Sequence, residues 1–221
     1  MKKQTFCWIF LICLLALPAK AQMILPKNAI GKIKVLKASV TITRQGKKVR
    51  IGRLGTLVMK NDVIATGEKG KARILLAAGD EVFLGPRSVL TLTKQLSASP
   101  KKFRFKYVAT IFGKIRSRVR ASFPHRFVVK TANAVIGVKG TDFVVEYVNQ
   151  VTTVGTLSGL VEMSSSVTKE RTDIPAGKMT SIPADGELLP LSSFAGTLLE
   201  GVEISGTIIK EEEISGEKIE L

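Results

Sequence analysis

Few side chains in this chain are of a type and spacing that does covalent chemistry. Its single histidine, His125, stands between Pro124 and Arg126. A lone histidine reads as a packing or surface residue, because a metal site wants several His, Cys or carboxylate ligands together. Asp80-Glu81 follows Gly79, where turn chemistry accounts for the aspartate. Ser164-Ser165-Ser166 has no neighbouring base pattern to activate a hydroxyl, and no G-x-S-x-G elbow occurs. Glu211 to Glu213 reads as a solvated charge run. No catalytic residue, cofactor or metal is expected, so the chain is read as a non-enzyme. A hydrolase working through two unrecognised carboxylates is the alternative.

The other chemistry on offer is electrostatic. Lys114, Arg116, Arg118 and Arg120 recur at every second position, and a strand places residues i and i+2 on one face. Arg104 and Lys106 alternate in the same way against Phe103, Phe105 and Tyr107. These six cations are the candidate polyanion-binding residues. If the two segments pair, cation faces cation at a cost of roughly 0.2–1 kcal/mol per pair, which solvent or an anion must relieve. The partners this allows are an anionic envelope polymer, lipopolysaccharide included, or an envelope protein, with nucleic acid disfavoured.

Charge is unevenly spread. The chain carries 34 Lys+Arg against 18 Asp+Glu. Residues 22–131 hold 25 Lys/Arg and 4 Asp/Glu, whereas 132–221 hold 6 and 14. Such asymmetry points to a polyanionic partner for the first part or to attraction between the parts.

The N-terminus reads as a secretory signal peptide: Lys2 and Lys3, an apolar run from Phe6 to Leu17, then Ala19-Lys20-Ala21. The run is short for a membrane span of roughly 20 apolar residues. Cys13 sits mid-run behind Leu11 and Ile12, not where lipidation occurs. Cleavage after Ala21 removes both cysteines, Cys7 and Cys13, and the only tryptophan, Trp8, leaving a thiol-free chain with no membrane-spanning run. The expected location is the periplasm or cell envelope.

The elements that must position these residues read as strands. Val40 to Thr43, Ala72 to Ala77, Val82 to Leu84 and Val89 to Thr93 are short β-rich runs separated by Gly, Pro, Asn and Asp. Helical periodicity is not sustained before Leu188. The expectation is an all-β fold, a sandwich- or solenoid-like stack of short strands. Gly31-Lys32-Ile33-Lys34 echoes Gly113-Lys114-Ile115-Arg116, which suggests two related β layers. The organisation expected is a signal peptide at 1–21, a linker at 22–30, a β domain at 31–185 and an acidic, partly flexible extension at 186–221.

One passage is more specific. Phe127 to Thr131 leads into Ala134-Val135-Ile136-Gly137-Val138-Lys139-Gly140-Thr141-Asp142-Phe143, followed by Thr152 to Leu157 and Gly159-Leu160-Val161-Glu162. Upstream lie Gly52 to Leu57 and Asn61-Asp62-Val63-Ile64-Ala65-Thr66-Gly67. In order and spacing this resembles the FecR family over roughly Gly31 to Ile182, with Ala38 where a glycine is common. On the residues alone, Gly137 and Gly140 predict a tight bend or bulge. Thr141 is expected to bond that turn's backbone, and Phe143 to anchor the core. A phosphate-cradling loop would need a following helix, and a strand pattern follows instead. The resemblance implies a periplasmic domain, in the best-known members the receiver of a transporter signal that controls a sigma factor. Here a short signal stands where those members carry a cytoplasmic segment, so the resemblance implies an exported binding or scaffold module of envelope signalling or assembly.

The exported protein is expected to begin at Gln22. Intact-mass measurement on the envelope fraction checks this, and a mass that retains Met1 to Ala21 overturns it.

Overall fold

The computed structural model describes Pro26 and residues 29–51, 53–96, 105–121 and 125–203. The signal-like segment, Phe103, Arg104 and the tail from Ile204 lie outside these residues. The first eight strands are β1 (Ala29–Lys37), β2 (Val40–Arg44), β3 (Lys47–Ile51), β4 (Leu57–Met59), β5 (Val63–Thr66), β6 (Lys71–Leu76), β7 (Glu81–Leu84) and β8 (Val89–Leu96). The longest, β9 (Phe105–Arg118), follows. Then come β10 (His125–Lys130), β11 (Ala134–Val138), β12 (Asp142–Val148), β13 (Val151–Ser158), β14 (Leu160–Ser165), β15 (Arg171–Pro175), β16 (Lys178–Ile182) and β17 (Ser192–Ser193). A single 3-10 turn at Gly196–Leu199 is the only helical element among the described residues.

The strands form where the sequence alternates. In β6, Ala72, Ile74 and Leu76 are buried, while Lys71, Arg73 and Leu75 are only partly so. This is the period of two that a half-buried strand requires.

All seventeen strands join in one hydrogen-bonded ladder, which divides into two sheets. Sheet A runs β4-β1-β6-β7-β9-β12-β13-β16-β17. Sheet B runs β3-β2-β5-β8-β9-β10-β11-β14-β15. β9 is the central strand of both. Its first part, Phe105 to Phe112, pairs with β8 in sheet B, and Gly113 to Arg118 pairs with β12 in sheet A. Every pairing is antiparallel except β9 with β10.

The sheets share one core. Ile33, Ile74, Leu84, Phe143 and Val154 of sheet A pack in the same cluster as Ile42, Ile64, Leu90, Phe127 and Val161 of sheet B. The all-β fold is therefore two sheets stacked on one core, with short strands of the chain alternating between them. A smaller cluster lies on the outer face of sheet A, where Phe83 and Val144 are covered by Leu198 and Val202, with Phe194 and Leu199 alongside. The described part of the C-terminal extension is thus packed against the body. The echoing blocks at Gly31 and Gly113 both fall in sheet A and do not mark separate layers.

β9 changes sheets at Gly113, which has φ +85°. A Cβ there would lie 2.4 Å from Ser88 Oγ and 2.8 Å from Ser88 Cα. Ser88 has to be that close, because its Oγ accepts a bond from the Lys114 backbone N–H at 2.9 Å and donates to Pro86 O at 2.8 Å.

Gly113→Ala is expected to cost about 2–4 kcal/mol, combining left-handed strain with overpacking; a loss in urea unfolding below about 1 kcal/mol would count against the crossing role. Ala38 holds φ +54°, a conformation glycine adopts without strain. Ala38→Gly should therefore raise stability by about 1 kcal/mol in the same measurement.

Candidate functional site

Several buried polar residues in the motif-like passages close turns. Asp62 is fully buried. Its carboxylate accepts two bonds from Arg44, Nε and Nη2 each at 2.8 Å, and one from the Met59 N–H at 2.8 Å. Thr66 Oγ1 donates to Gly85 O at 2.6 Å and accepts from Ser88 N at 2.9 Å, fixing β5 to the turn before β8. Between β10 and β11, buried Asn133 shares its amide N–H groups among the carbonyls of Ile182, Pro183 and Gln150, at 2.8 to 3.0 Å. Its Oδ1 accepts from the Thr131 and Thr152 hydroxyls.

Gly140 has φ +69°, and a Cβ there would sit 2.6 Å from Ala121 Cβ, so this turn requires glycine. Thr141 Oγ1 bonds within the turn to Lys139 O at 3.4 Å, but its better partner is Leu160 O at 3.0 Å, across sequence. Phe143 is fully buried, edge-on to Phe127 with centroids 6.4 Å apart. Gly137 departs from expectation: it is an ordinary position inside β11 with no atom within 4 Å of a Cβ. The bend belongs to Gly140 alone.

This frame of turn clamps coincides with a family model described as FecR protein, which matches residues 62–162. The matched stretch, from Asp62 before β5 to Glu162 in β14, carries the FecR likeness. No curated protein matches the chain. Among solved structures, two of a candidate anti-sigma factor from Parabacteroides distasonis are similar at 18% identity, with TM-scores of 0.48 and 0.47. The match covers 59% of this chain, which spans the same share, 59%, of each of those chains.

Within the matched residues the cation row takes a different form from that expected. Lys106 lies in the sheet B part of β9, between Gln95 and Arg126. Lys114, Arg116 and Arg118 lie on the outer face of sheet A, so the candidates do not make one surface. Arg104 is outside the described residues. Carboxylates from neighbouring strands, not cations, meet the sheet A group. Arg116 makes a two-pronged pair with Asp142, Nε and Nη2 both at 2.8 Å, at side-chain exposures of 11% and 13%. Lys114 pairs with Glu146 at 3.1 Å. Arg118 reaches Asp142 at 3.3 Å and Glu81 at 3.7 Å, and Arg73 holds the other oxygen of Glu81. Arg120 lies past the end of β9 and bonds Asp80 through its backbone N–H at 2.9 Å. Its guanidinium lies against Gly79. The counter-row was present in the sequence as Asp142 and Glu146, spaced to share a face of β12.

Asp80 and His125 form the closest approach to a catalytic pair, with Nε2 2.5 Å from Oδ2. Both side chains have 0% exposure, and His125 stacks on Phe105 at 5.5 Å with Tyr107 edge-on at 5.8 Å. The pair joins the β6–β7 turn of sheet A to β10 of sheet B. His125 is thus a packing residue. Asp80 sits in a turn as expected, with the added role of a buried acceptor. The Tyr107 hydroxyl is pushed up to about 12, first by burial and then by the nearby Asp80 charge. It stays protonated at any physiological pH. Among the described residues no group of three or more His, Cys, Asp or Glu could hold a metal.

Arg116→Gln is expected to cost about 2–4 kcal/mol, because it removes the two-pronged partner of a largely buried carboxylate and leaves it only the longer contact from Arg118. Arg118→Gln, at 46% exposure, should cost less than about 1 kcal/mol. Equal losses in urea unfolding would refute this division of roles.

Proposed function

We propose that this FecR-like protein is a non-catalytic interaction module of the cell envelope, taking part in signalling or assembly there through a protein partner. The FecR match over residues 62–162 supports the regulatory character, and the Lys2 to Ala21 pattern supports export. One observation carries the binding reading. The buried polar groups of the family-like passages are satisfied inside the fold, while a large aromatic is left in solvent on its most central strand. Phe112 is 52% exposed and packs edge-on against Tyr147 with centroids 5.9 Å apart. Val148, next in β12, is 40% exposed. Aromatics held on rigid strands lose little entropy on binding and are favoured at interface centres. Phe112 stands just before the sheet crossing, opposite Val89 of β8, so its ring is presented from a paired strand.

A photo-crosslinking residue in place of Phe112 should give a discrete adduct with an envelope protein in cells, and the same residue in place of Val167, 56% exposed on the β14–β15 turn, should not. Phe112→Ala in the partner-bound assay should weaken capture at least tenfold. Identical adducts at both positions, or none at Phe112, refutes the reading.

A further inference from the structure

The strand register places a second set of cations together, outside the row that the sequence singles out. β1 and β6 are neighbours in sheet A, with Lys37 directly opposite Lys71, Val35 opposite Arg73 and Lys32 opposite Leu75. Ile33, Leu36, Ala72 and Ile74 take the core side, so Lys32, Lys37, Lys71 and Arg73 share the outer face. Lys34 falls at the register shift between Ile33 and Val35 and is exposed. A bulge residue is unpaired in the ladder and re-aims its side chain. The Lys34 ammonium is held below the usual lysine range by desolvation, then by Lys32 and Arg73 beside it.

The contrast with β9 carries the argument. There, each cation of the outer face has a carboxylate on β7 or β12. Here, among the described residues, no ion pair reaches Lys32, Lys34, Lys37 or Lys71, and Arg73 shares its Glu81 with Arg118. Like charges directly opposite on a sheet are destabilising, so the unmatched face lacks an anionic counterpart.

Its shape narrows the counterpart. Lys32 to Lys37 spans about 16 Å of strand, and the Lys71–Arg73 row lies about 4.8 Å to one side. A strip that long and narrow fits a linear chain with repeated negative groups better than one compact anion. Among the described residues, none of the exposed large hydrophobics lies on β1 or β6, and Leu75 opposite Lys32 is only partly exposed. The face therefore offers no exposed aromatic platform of the kind on which single-stranded nucleic acid stacks and no protruding apolar row of the kind that enters a bilayer. We propose that the outer face of β1 and β6 binds a linear acidic polysaccharide, with Lys32, Lys34, Lys37, Lys71 and Arg73 as its contacts. This site is separate from Phe112 and does not depend on the protein-partner reading.

The test uses the mature protein with polygalacturonate and heparin as probes. Replacing Lys32, Lys34 and Lys37 together with Gln should weaken binding to both at least tenfold. The slope of log K against log salt should become shallower by about two to three. Replacing the same three with Arg should restore binding. Replacing exposed Lys47, Lys60 and Lys139 with Gln removes equal charge and should change affinity less than threefold, as should Lys114→Gln. If the two Gln triples weaken binding equally, the effect is net charge alone and the proposal fails. It fails too if a thirty-residue oligothymidylate, or vesicles of phosphatidylglycerol and phosphatidylcholine, bind more tightly than polygalacturonate through the same lysines; these outcomes assign the face to nucleic acid or membrane. Should the Gln triple lose its β circular dichroism, Lys71→Gln alone must still weaken binding severalfold, or the proposal is overturned.

Discussion

A strand can lie in the interior of two sheets only if its backbone changes direction without losing its ladder on either side. β9 meets that demand at Gly113, where a positive φ and close contact with Ser88 leave no room for a side chain. The Ser88 hydroxyl then takes the Lys114 N–H that the change of direction would otherwise leave unpaired. Either side of this point, the alternation of inner and outer residues continues unbroken. Tyr107, Ala109 and Ile111 face the core before it, and Ile115 and Ser117 after it. The strands before β9 pack on one flank of it in each sheet, and the strands after β9 on the other.

The same arrangement resolves the charge imbalance. The acidic second part of the chain contributes β12 directly beside the most basic portion of β9. Asp142 and Glu146 thereby become intramolecular counterions for Arg116, Arg118 and Lys114. A pair such as Arg116 and Asp142 is desolvated, and its Coulombic gain must offset that cost. Its two-pronged geometry is what lets it do so. β1 and β6 are on the other flank, where Glu81 of β7 meets Arg73 and, among the described residues, no ion pair reaches Lys32, Lys34, Lys37 or Lys71. Sheet order thus decides which cations are structural and which are free to meet a ligand.

Much of this was legible in the residues, though unevenly. Strand content, the Gly140 turn, the Thr141 bond and the Phe143 anchor follow from local pattern, because turns and core-facing positions depend on nearby residues. Pairing partners do not. Lys114 to Arg118 looked like an exposed row because nothing in a strand's own sequence says what lies beside it. Gly137 was misread because a glycine within a signature can be spectator to the bend its neighbour makes. The β1 cations escaped notice for a local reason. Lys32 and Lys37 differ in parity, and only the bulge at Lys34 brings them to the same face. Asp80 and His125, 45 positions apart, meet only once the two sheets close.

The shared position of β9 also bears on how the molecule is made. β1 to β8 contain half of each sheet but neither centre, and the same is true of β10 to β17. Apolar faces such as Ile33 to Ile74 in one layer and Ile42 to Ile64 in the other therefore wait for one strand to complete them both. A chain emerging N-terminus first must hold eight strands without their scaffold until Arg118 has passed. The pairings that then form are distant in sequence, which favours slow and all-or-none assembly. The two halves are not modules that could be exchanged or duplicated separately. They are two sides of a single shared strand, and each completes its sheets only through it.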